Sequence, residues 1–156
     1  MDRKYQQARV DFIVNLYISN PQLFDMQYVP EIKAKGISRV TATLPLRNHS
    51  VYGNTILYIN EKLDDEGNIK EYRYDWEYMQ TGKKPQIKQA RHITAFDKQE
   101  HPEPPYTVNT EPFHHHYVPG DLSKRKDTNV QSLEDVIVIL SDYIFSGTEY
   151  NHNVSF

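Results

Sequence analysis

The 156-residue chain contains no cysteine, and this absence excludes several kinds of chemistry. Without a thiol there is no disulfide framework, no cysteine nucleophile and no cysteine-ligated zinc. Long apolar runs are missing too, since none approaches the about 20 residues of a membrane-spanning helix. The N-terminal segment, MDRKYQQARV, has no apolar signal core. We therefore expect a soluble cytoplasmic protein without a membrane partner.

An excess of positive charge is also missing, because the net charge is −3 with histidine neutral. Proteins that coat DNA through bulk electrostatics are usually basic, so the composition argues against that function. A local basic face is still compatible with this net charge. Hydrophobic residues make up only 38%, but the 12 tyrosines add surface that can be buried. The length suits one domain, residues 1–156.

The N-terminal region, residues 1–36, is predicted to be helical. Residues 4–18 carry apolar side chains at spacings of three and four, and a second short helix is expected from Pro21 to Tyr28. The apolar face of the first helix is predicted to contain Tyr5, Ala8, Phe12, Ile13 and Leu16.

From residue 37 the hydrophobic period changes from 3.6 to 2, which is typical of half-buried strands. Residues 69–79 form the clearest case, because charged and aromatic side chains alternate without a break from residue 71 to residue 78. This pattern predicts an antiparallel sheet of about four to five strands with one wet face. Aromatic side chains on a sheet can stack RNA bases, but a face opposite a charged one favours the core. The aromatic face comprises Tyr72, Tyr74, Trp76 and Tyr78.

The C-terminal part predicts an amphipathic helix. Ser132 is a candidate N-cap with Asp135 at the capping-box position, and Gly147 is a candidate end. Apolar residues between them follow one helical face, on which Leu140 should be almost fully buried. Residues 148–156 are expected to be loose. The expected fold is α+β, with the sheet packed against an N-terminal helix and an amphipathic C-terminal helix.

Three consecutive histidines, His114, His115 and His116, are the main candidates for chemistry. In an extended chain His114 and His116 point to the same side and His115 to the other. Histidine transfers protons near neutral pH, so the pair suits acid–base catalysis. The alternative is a polar strand whose histidines hydrogen-bond to backbone or water.

A metal site is a second interpretation of the same histidines. His101 and Glu103 lie upstream and could fold back beside His114 and His116. Three such ligands suit a catalytic zinc with an open position, but the spacing matches no zinc motif. We therefore predict no bound metal and no cofactor.

Arg91, together with neighbouring lysines, makes the predicted strand 87–96 basic. A phosphate-bearing ligand could use this region. The alternative is a solvated strand face whose charges oppose those of the acidic residues on the neighbouring strand.

The order of these features resembles the TumE-like toxin family, formerly a domain of unknown function, over roughly residues 37–144. The aromatic strand is similar, and the stretch 96–103 is similar to a family segment containing Asp and His-Pro-Glu. Pro112, His114 and His116 also match, whereas Phe113 stands where the family usually has histidine. The resemblance defines residues 37–145 as a TumE-like sheet plus closing helix.

The resemblance implies the toxin of a type II toxin–antitoxin module, with a cognate antitoxin, often a helix-turn-helix protein, as its partner. Many small toxins are ribonucleases, and RNA is therefore the expected substrate of a metal-independent enzyme. His114 and His116 would be the acid–base pair, with His101 as a third participant. Arg91 would contact phosphate and Asp97 would orient a histidine. The alternatives are a non-catalytic protein-interaction module and a zinc- or manganese-dependent hydrolase.

Overall fold

The computed structural model describes residues 3–80, 88–99, 104 and 107–156, and the fold is given for these residues. The helices are α1 (Lys4–Ser19), α2 (Lys88–Arg91) and α3 (Leu133–Ser146). The strands are β1 (Glu31–Lys35), β2 (Arg39–Pro45), β3 (Thr55–Leu63), β4 (Ile69–Tyr78), β5 (His92–Lys98), β6 (Phe113–Val118) and β7 (Asp121–Lys126).

The strands form one antiparallel sheet in the order in which they occur along the chain, β1 to β7. The predicted α+β class with an antiparallel sheet and two flanking helices is confirmed. The predicted number of four to five strands is wrong, because the sheet has seven. Pro112 and Pro119 border β6 without interrupting it, and the charged segment after Gly120 pairs with β6 as an edge strand.

The N-terminal region also differs from the prediction. Residues 21–28 contain turns and an isolated bridge from Phe24 to Leu46 instead of a second helix, and residues 31–35 are the edge strand β1. On α1 the buried residues are Gln6, Ile13 and Tyr17. The buried face therefore shares only Ile13 with the predicted apolar face.

Polar contacts help to fix α1 against the sheet. Arg9 donates from Nε and Nη2 to the carboxylate of Glu61 on β3, at 2.7 and 2.8 Å. The hydroxyl of Tyr74 donates to the same carboxylate. Glu61 is fully buried, and a buried carboxylate is tolerated when it is paired and hydrogen-bonded in this way.

The face of the sheet that carries Tyr72, Tyr74 and Trp76 packs against the helices. These three side chains are buried, whereas Tyr78 at the end of β4 is 38% exposed. The ring of Trp76 lies 5.5 Å from that of Tyr143 on α3, centroid to centroid. The aromatic face is therefore mostly core, as the alternation predicts.

The predicted ends of α3 are confirmed. The Ser132 side chain accepts a hydrogen bond from the backbone N–H of Asp135, and Gly147 adopts a left-handed conformation with φ of 69°. A residue with a side chain is disfavoured at this φ, which explains the glycine at the helix end. Neither α3 nor any other helix in the described residues is long and apolar enough to cross a membrane.

The tail after α3 is held against the sheet, contrary to the expected loose end. Tyr150 is buried and donates from its hydroxyl to the carbonyl of Tyr117 at 2.8 Å. The backbone N–H of Asn129 donates to the carbonyl of Phe156 at 2.9 Å. The tail thus covers part of the face that carries His115.

Truncation of Leu140 on α3 tests this packing. Leu140 is 1% exposed in the core between α3 and the sheet. Leu140→Ala should lower the free energy of unfolding by about 2–5 kcal/mol, because it removes buried methyl groups and leaves a cavity. Urea denaturation measures this. Val138→Ala on the exposed side of the same helix is the control and should change it by less than about 0.5 kcal/mol.

Candidate functional site

The second face of the sheet is polar and, in its central part, buried. Strand register places Asn60, Arg73, Asp97 and His114 in one row across β3 to β6. In the adjacent row His116 lies opposite Ala95. The predicted wet face is therefore wrong for its central part. The buried polar side chains on it are Thr41, Asp75, Glu77, His92, Asp97, His114 and His116.

The alternation of β6 separates the three consecutive histidines, as predicted. His115 lies on the core face, where its ring stacks on Phe96 with centroids 4.2 Å apart. Its Nε2 lies 2.6 Å from Thr94 Oγ1. Burial lowers the pKa of His115 to about 3, so that it is neutral at physiological pH. His115 is thus part of the core and not of the polar site.

Asp97 is the centre of a cluster formed with His114, His116 and Arg73. Arg73 donates from Nε and Nη2 to the Asp97 carboxylate, with the shortest contact 2.6 Å from Nη2 to Oδ2. His116 Nε2 lies 3.0 Å and His114 Nε2 lies 3.4 Å from the same Oδ2. The histidines and Asp97 are at most 2% exposed, whereas the Arg73 side chain is 25% exposed. We call these four residues the Asp97 cluster.

Burial and hydrogen bonding have opposite effects on the pKa of Asp97. Burial alone would raise the pKa of its carboxyl, but the hydrogen bonds from His114, His116 and Arg73 outweigh this effect. They hold the pKa of Asp97 well below its usual range, and the carboxylate is ionised at neutral pH. Burial lowers the pKa of His116, and its contact with Asp97 opposes this only in part.

The contacts of His116 suit both protonation states of its ring. The Nδ1–H donates to the carbonyl of Leu122 at 2.9 Å, which assigns one proton to that nitrogen. In the neutral ring, Nε2 can accept from Arg73 Nη2 at 3.2 Å. In the protonated ring, Nε2–H can donate to Asp97 Oδ2 instead. A proton can therefore be gained or lost at Nε2 without leaving that atom unpaired.

A cavity of about 350 Å³ opens beside the cluster on the polar face. Asp97 and Arg73 form part of its wall, whereas His114 and His116 are buried and do not line it. The other lining residues are Arg39, Asn60, Glu71, Tyr72, Lys98 and Gln99.

Of the five predicted catalytic residues, three come together, one lies elsewhere in the fold and one is outside the described residues. Asp97, His114 and His116 are in contact, whereas His101, with its neighbour Glu103, lies outside the described residues. Arg91 ends α2 before β5, and Asp97 lies near the other end of that strand. Arg91 Nε is 3.7 Å from Glu77 Oε1, and Arg91 lines a different cavity.

Two further groups were missed by sequence reasoning. Arg73 contacts Asp97 and His116, but in the sequence it was only one member of the alternating charged face of β4. Asp75 and His92 form a second buried pair, with Oδ1 and Nδ1 2.9 Å apart. The His92 ring lies 6.4 Å from the His116 ring, centroid to centroid, which extends the polar network along the sheet.

The cluster has a donor set that a metal ion could use. One ligand atom each from Asp97, His114 and His116 lies within 4.8 Å of the others. Two imidazoles and one carboxylate fit a zinc with an open position. The guanidinium of Arg73, however, already provides a positive charge against Asp97 Oδ2 and His116 Nε2. An ion would therefore have to displace Arg73.

Comparison with known proteins gave one finding about the family. A family model described as Toxin TumE matches residues 14–144, which include β1 to β7 and most of α3. The match begins within α1, so it covers part of the N-terminal region as well as the sheet. No curated protein and no solved structure matched the chain.

Proposed function

The chain belongs to the TumE toxin family, and on this premise we propose that it is the toxin of a type II toxin–antitoxin pair that cleaves RNA by histidine acid–base chemistry. Its partner would be a cognate antitoxin, with a helix-turn-helix protein as the expected type. It would act in the cytoplasm. The observation that supports RNA cleavage is the position of His116, which has a hydrogen-bond partner in each protonation state.

The proposed reaction needs two proton transfers. His116, with its lowered pKa, removes the proton from a ribose 2′-hydroxyl, and the 2′-oxygen forms a bond to phosphorus. The bond from phosphorus to the 5′-oxygen breaks as His114 protonates that oxygen. The products are a 2′,3′-cyclic phosphate and a free 5′-hydroxyl. Asp97 orients both rings, since its Oδ2 lies close to both Nε2 atoms.

Arg73 supplies the positive charge nearest to the reaction. Its Nη2 lies 3.2 Å from His116 Nε2, where negative charge develops on the phosphorane oxygens. Arg73 thereby takes the role that the sequence suggested for Arg91. Arg91 stays a proposed phosphate contact farther along the RNA, and His101 a proposed third participant. Because both reacting histidines are buried, RNA must enter through the cavity lined by Arg73 and Asp97.

A metal-dependent hydrolase is the second candidate, favoured by the donor set of Asp97, His114 and His116. In that case the metal would activate water, and Arg73 would move away from Asp97. The two candidates make opposite predictions for chelators and for the metal content of the purified protein.

Metal analysis together with an RNA degradation assay distinguishes the two candidates. We expect no stoichiometric zinc or manganese in the purified protein, because Arg73 already neutralises Asp97. RNA degradation should be unchanged by EDTA. Elemental analysis and product gels provide the measurements. Stoichiometric zinc, with activity that EDTA abolishes and zinc restores, would instead establish the hydrolase.

A further inference from the structure

The cavity beside the Asp97 cluster has the composition of an anion-binding site. Three basic residues and two acidic residues line it, a net formal charge of +1 in a chain whose net charge is −3. Its volume, about 350 Å³, lies within the range of about 300–1,000 Å³ typical of ligand pockets. The charged lining residues are Arg39, Arg73, Lys98, Glu71 and Asp97.

Arg73 retains hydrogen-bond donors for a ligand. Its Nε and Nη2 contact Asp97, and Nη2 also contacts His116. Its Nη1 has no hydrogen-bond partner among the described residues, and the side chain is a quarter exposed. The Nε and Nη2 groups of Arg73 therefore hold the Asp97 cluster, while its Nη1 group can bind a ligand in the cavity.

Arg39 contributes a second guanidinium from β2. Its Nη1 donates to Asn60 Oδ1 at 3.1 Å, and Asn60 lies opposite Arg73 in the register of β3 and β4. This contact leaves the Nε and Nη2 donors of an exposed side chain. Two arginines thus line one cavity, each with donors to spare, and guanidinium groups bind phosphate through paired N–H donors.

We infer that this cavity binds a phosphate group of the RNA chain next to the phosphate that is cleaved, with Arg39 as its specific contact. The inference rests on the proposed function for the identity of the ligand. Arg73 joins the two positions, since it contacts both the cavity and His116. A phosphate held by Arg39 therefore places the neighbouring phosphodiester beside Asp97 and the histidines. The site would select a chain of phosphates over a single phosphate ion.

The test measures binding without cleavage. A fluorescein-labelled 2′-O-methyl oligoribonucleotide has no free 2′-hydroxyl, so it can occupy the site but cannot react. Arg39→Gln should weaken its binding on the order of tenfold or more in fluorescence anisotropy, the usual effect of losing a hydrogen bond to a charged group. The slope of log affinity against log salt should fall by about 0.7 for one lost phosphate contact on a single strand.

Arg47→Gln is the matched control. Arg47 is exposed, carries the same charge and lies outside the cavity, where its Nε donates to the carbonyl of Pro21. We expect it to bind the oligonucleotide within about twofold of wild type. Equal weakening by both substitutions would show bulk electrostatic attraction and overturn the inference. Unchanged binding by Arg39→Gln, or no binding by the wild-type protein, would also overturn it.

Two further experiments are needed. An RNA cleavage assay separates this inference from the proposed function, and competition with inorganic phosphate identifies the ligand. Binding that depends on Arg39, with no cleavage of unmodified RNA, would support the site and reject the ribonuclease. Cleavage with Arg39-independent binding would support the ribonuclease and reject the site. Inorganic phosphate should compete only weakly with the oligonucleotide. Strong competition by phosphate alone would overturn the selection for a chain of phosphates.

Discussion

Replacement of His116 by alanine should lower the rate of RNA cleavage by about 10²–10⁴, the usual contribution of a positioned acid or base. The same loss is expected for His114→Ala. In the Asp97 cluster both rings contact the carboxylate that orients them. Single-turnover cleavage of a labelled RNA measures the rate. His152→Ala, in the exposed part of the tail, is the control and should cleave at the wild-type rate.

The pH dependence provides a second measurement of the same chemistry. The base must be neutral, so the rate should rise with pH through the pKa of His116, which burial lowers from its ordinary value. The acid must be protonated, so the rate should fall again at higher pH. A bell-shaped profile is therefore expected. A variant that lacks His116 should lose the rising arm.

Stability must be measured alongside these rates. Both rings are buried, so alanine at either position leaves a cavity and lowers the stability of the folded protein. His116→Gln, which keeps a polar group of similar size, therefore accompanies His116→Ala, and circular dichroism checks that each variant is folded. A folded His116→Gln protein that cleaves at the wild-type rate would contradict the proposed role.

Growth on induced expression tests the toxin role in cells. Wild-type protein should arrest growth, and the His114→Ala/His116→Ala variant should relieve the arrest. Unchanged growth and intact RNA with well-folded wild-type protein would instead favour the non-catalytic interaction module.

Removal of the Asp97 carboxylate should give a large loss of stability. Asp97→Ala leaves the Arg73 guanidinium without its ionic partner at a mostly buried position. Breaking a buried pair in this way typically costs about 3–5 kcal/mol. Urea denaturation of the purified variant gives the value. Asp65→Ala, on an exposed turn of the β3–β4 loop, is the control and should stay within about 0.5 kcal/mol of wild type.

The pH dependence of stability should follow the lowered pKa of Asp97. The folded protein binds a proton at this carboxyl less readily than the unfolded chain, whose aspartates have a pKa of about 3.9. The stabilisation is therefore complete above that value and is lost as the pH falls toward the lower pKa of the folded state. Asp97→Asn should remove this part of the acid sensitivity. Identical acid denaturation of variant and wild type would contradict the ion pair.

Local patterns predicted some elements because short-range geometry determines them. The alternation of Tyr72, Tyr74 and Trp76 with charged residues identified β4 and its core face, and Ser132 identified the start of α3. Strands β6 and β7 were not recognised as paired strands. Bordering prolines and a charged composition resemble a loop, and only the pairing of β6 with β5 and of β7 with β6 satisfies backbone groups of these segments.

The candidate site was predicted only in part, because local patterns identify residues on one strand but not their partners on another. Asp97, His114 and His116 came from the family resemblance and from strand parity, and they do lie together. Arg73 was not singled out, because nothing in its local sequence connects it with Asp97 24 positions later. Arg91 was selected instead because basic residues are close to it in sequence, whereas strand register decides which charges lie opposite one another.

The sequence by itself determined that His114 and His116 share a face that excludes His115, since successive side chains of any strand point to opposite sides. It also determined the capped, amphipathic α3, because caps and helical periodicity act over a few residues. Only the tertiary structure decided that the Asp97 cluster is buried, that Arg73 joins it and that a cavity with two arginines opens beside it. Burial, which lowers the pKa of His116, and the hydrogen bonds that lower the pKa of Asp97 both depend on strands far apart in sequence, and no local pattern contains that information.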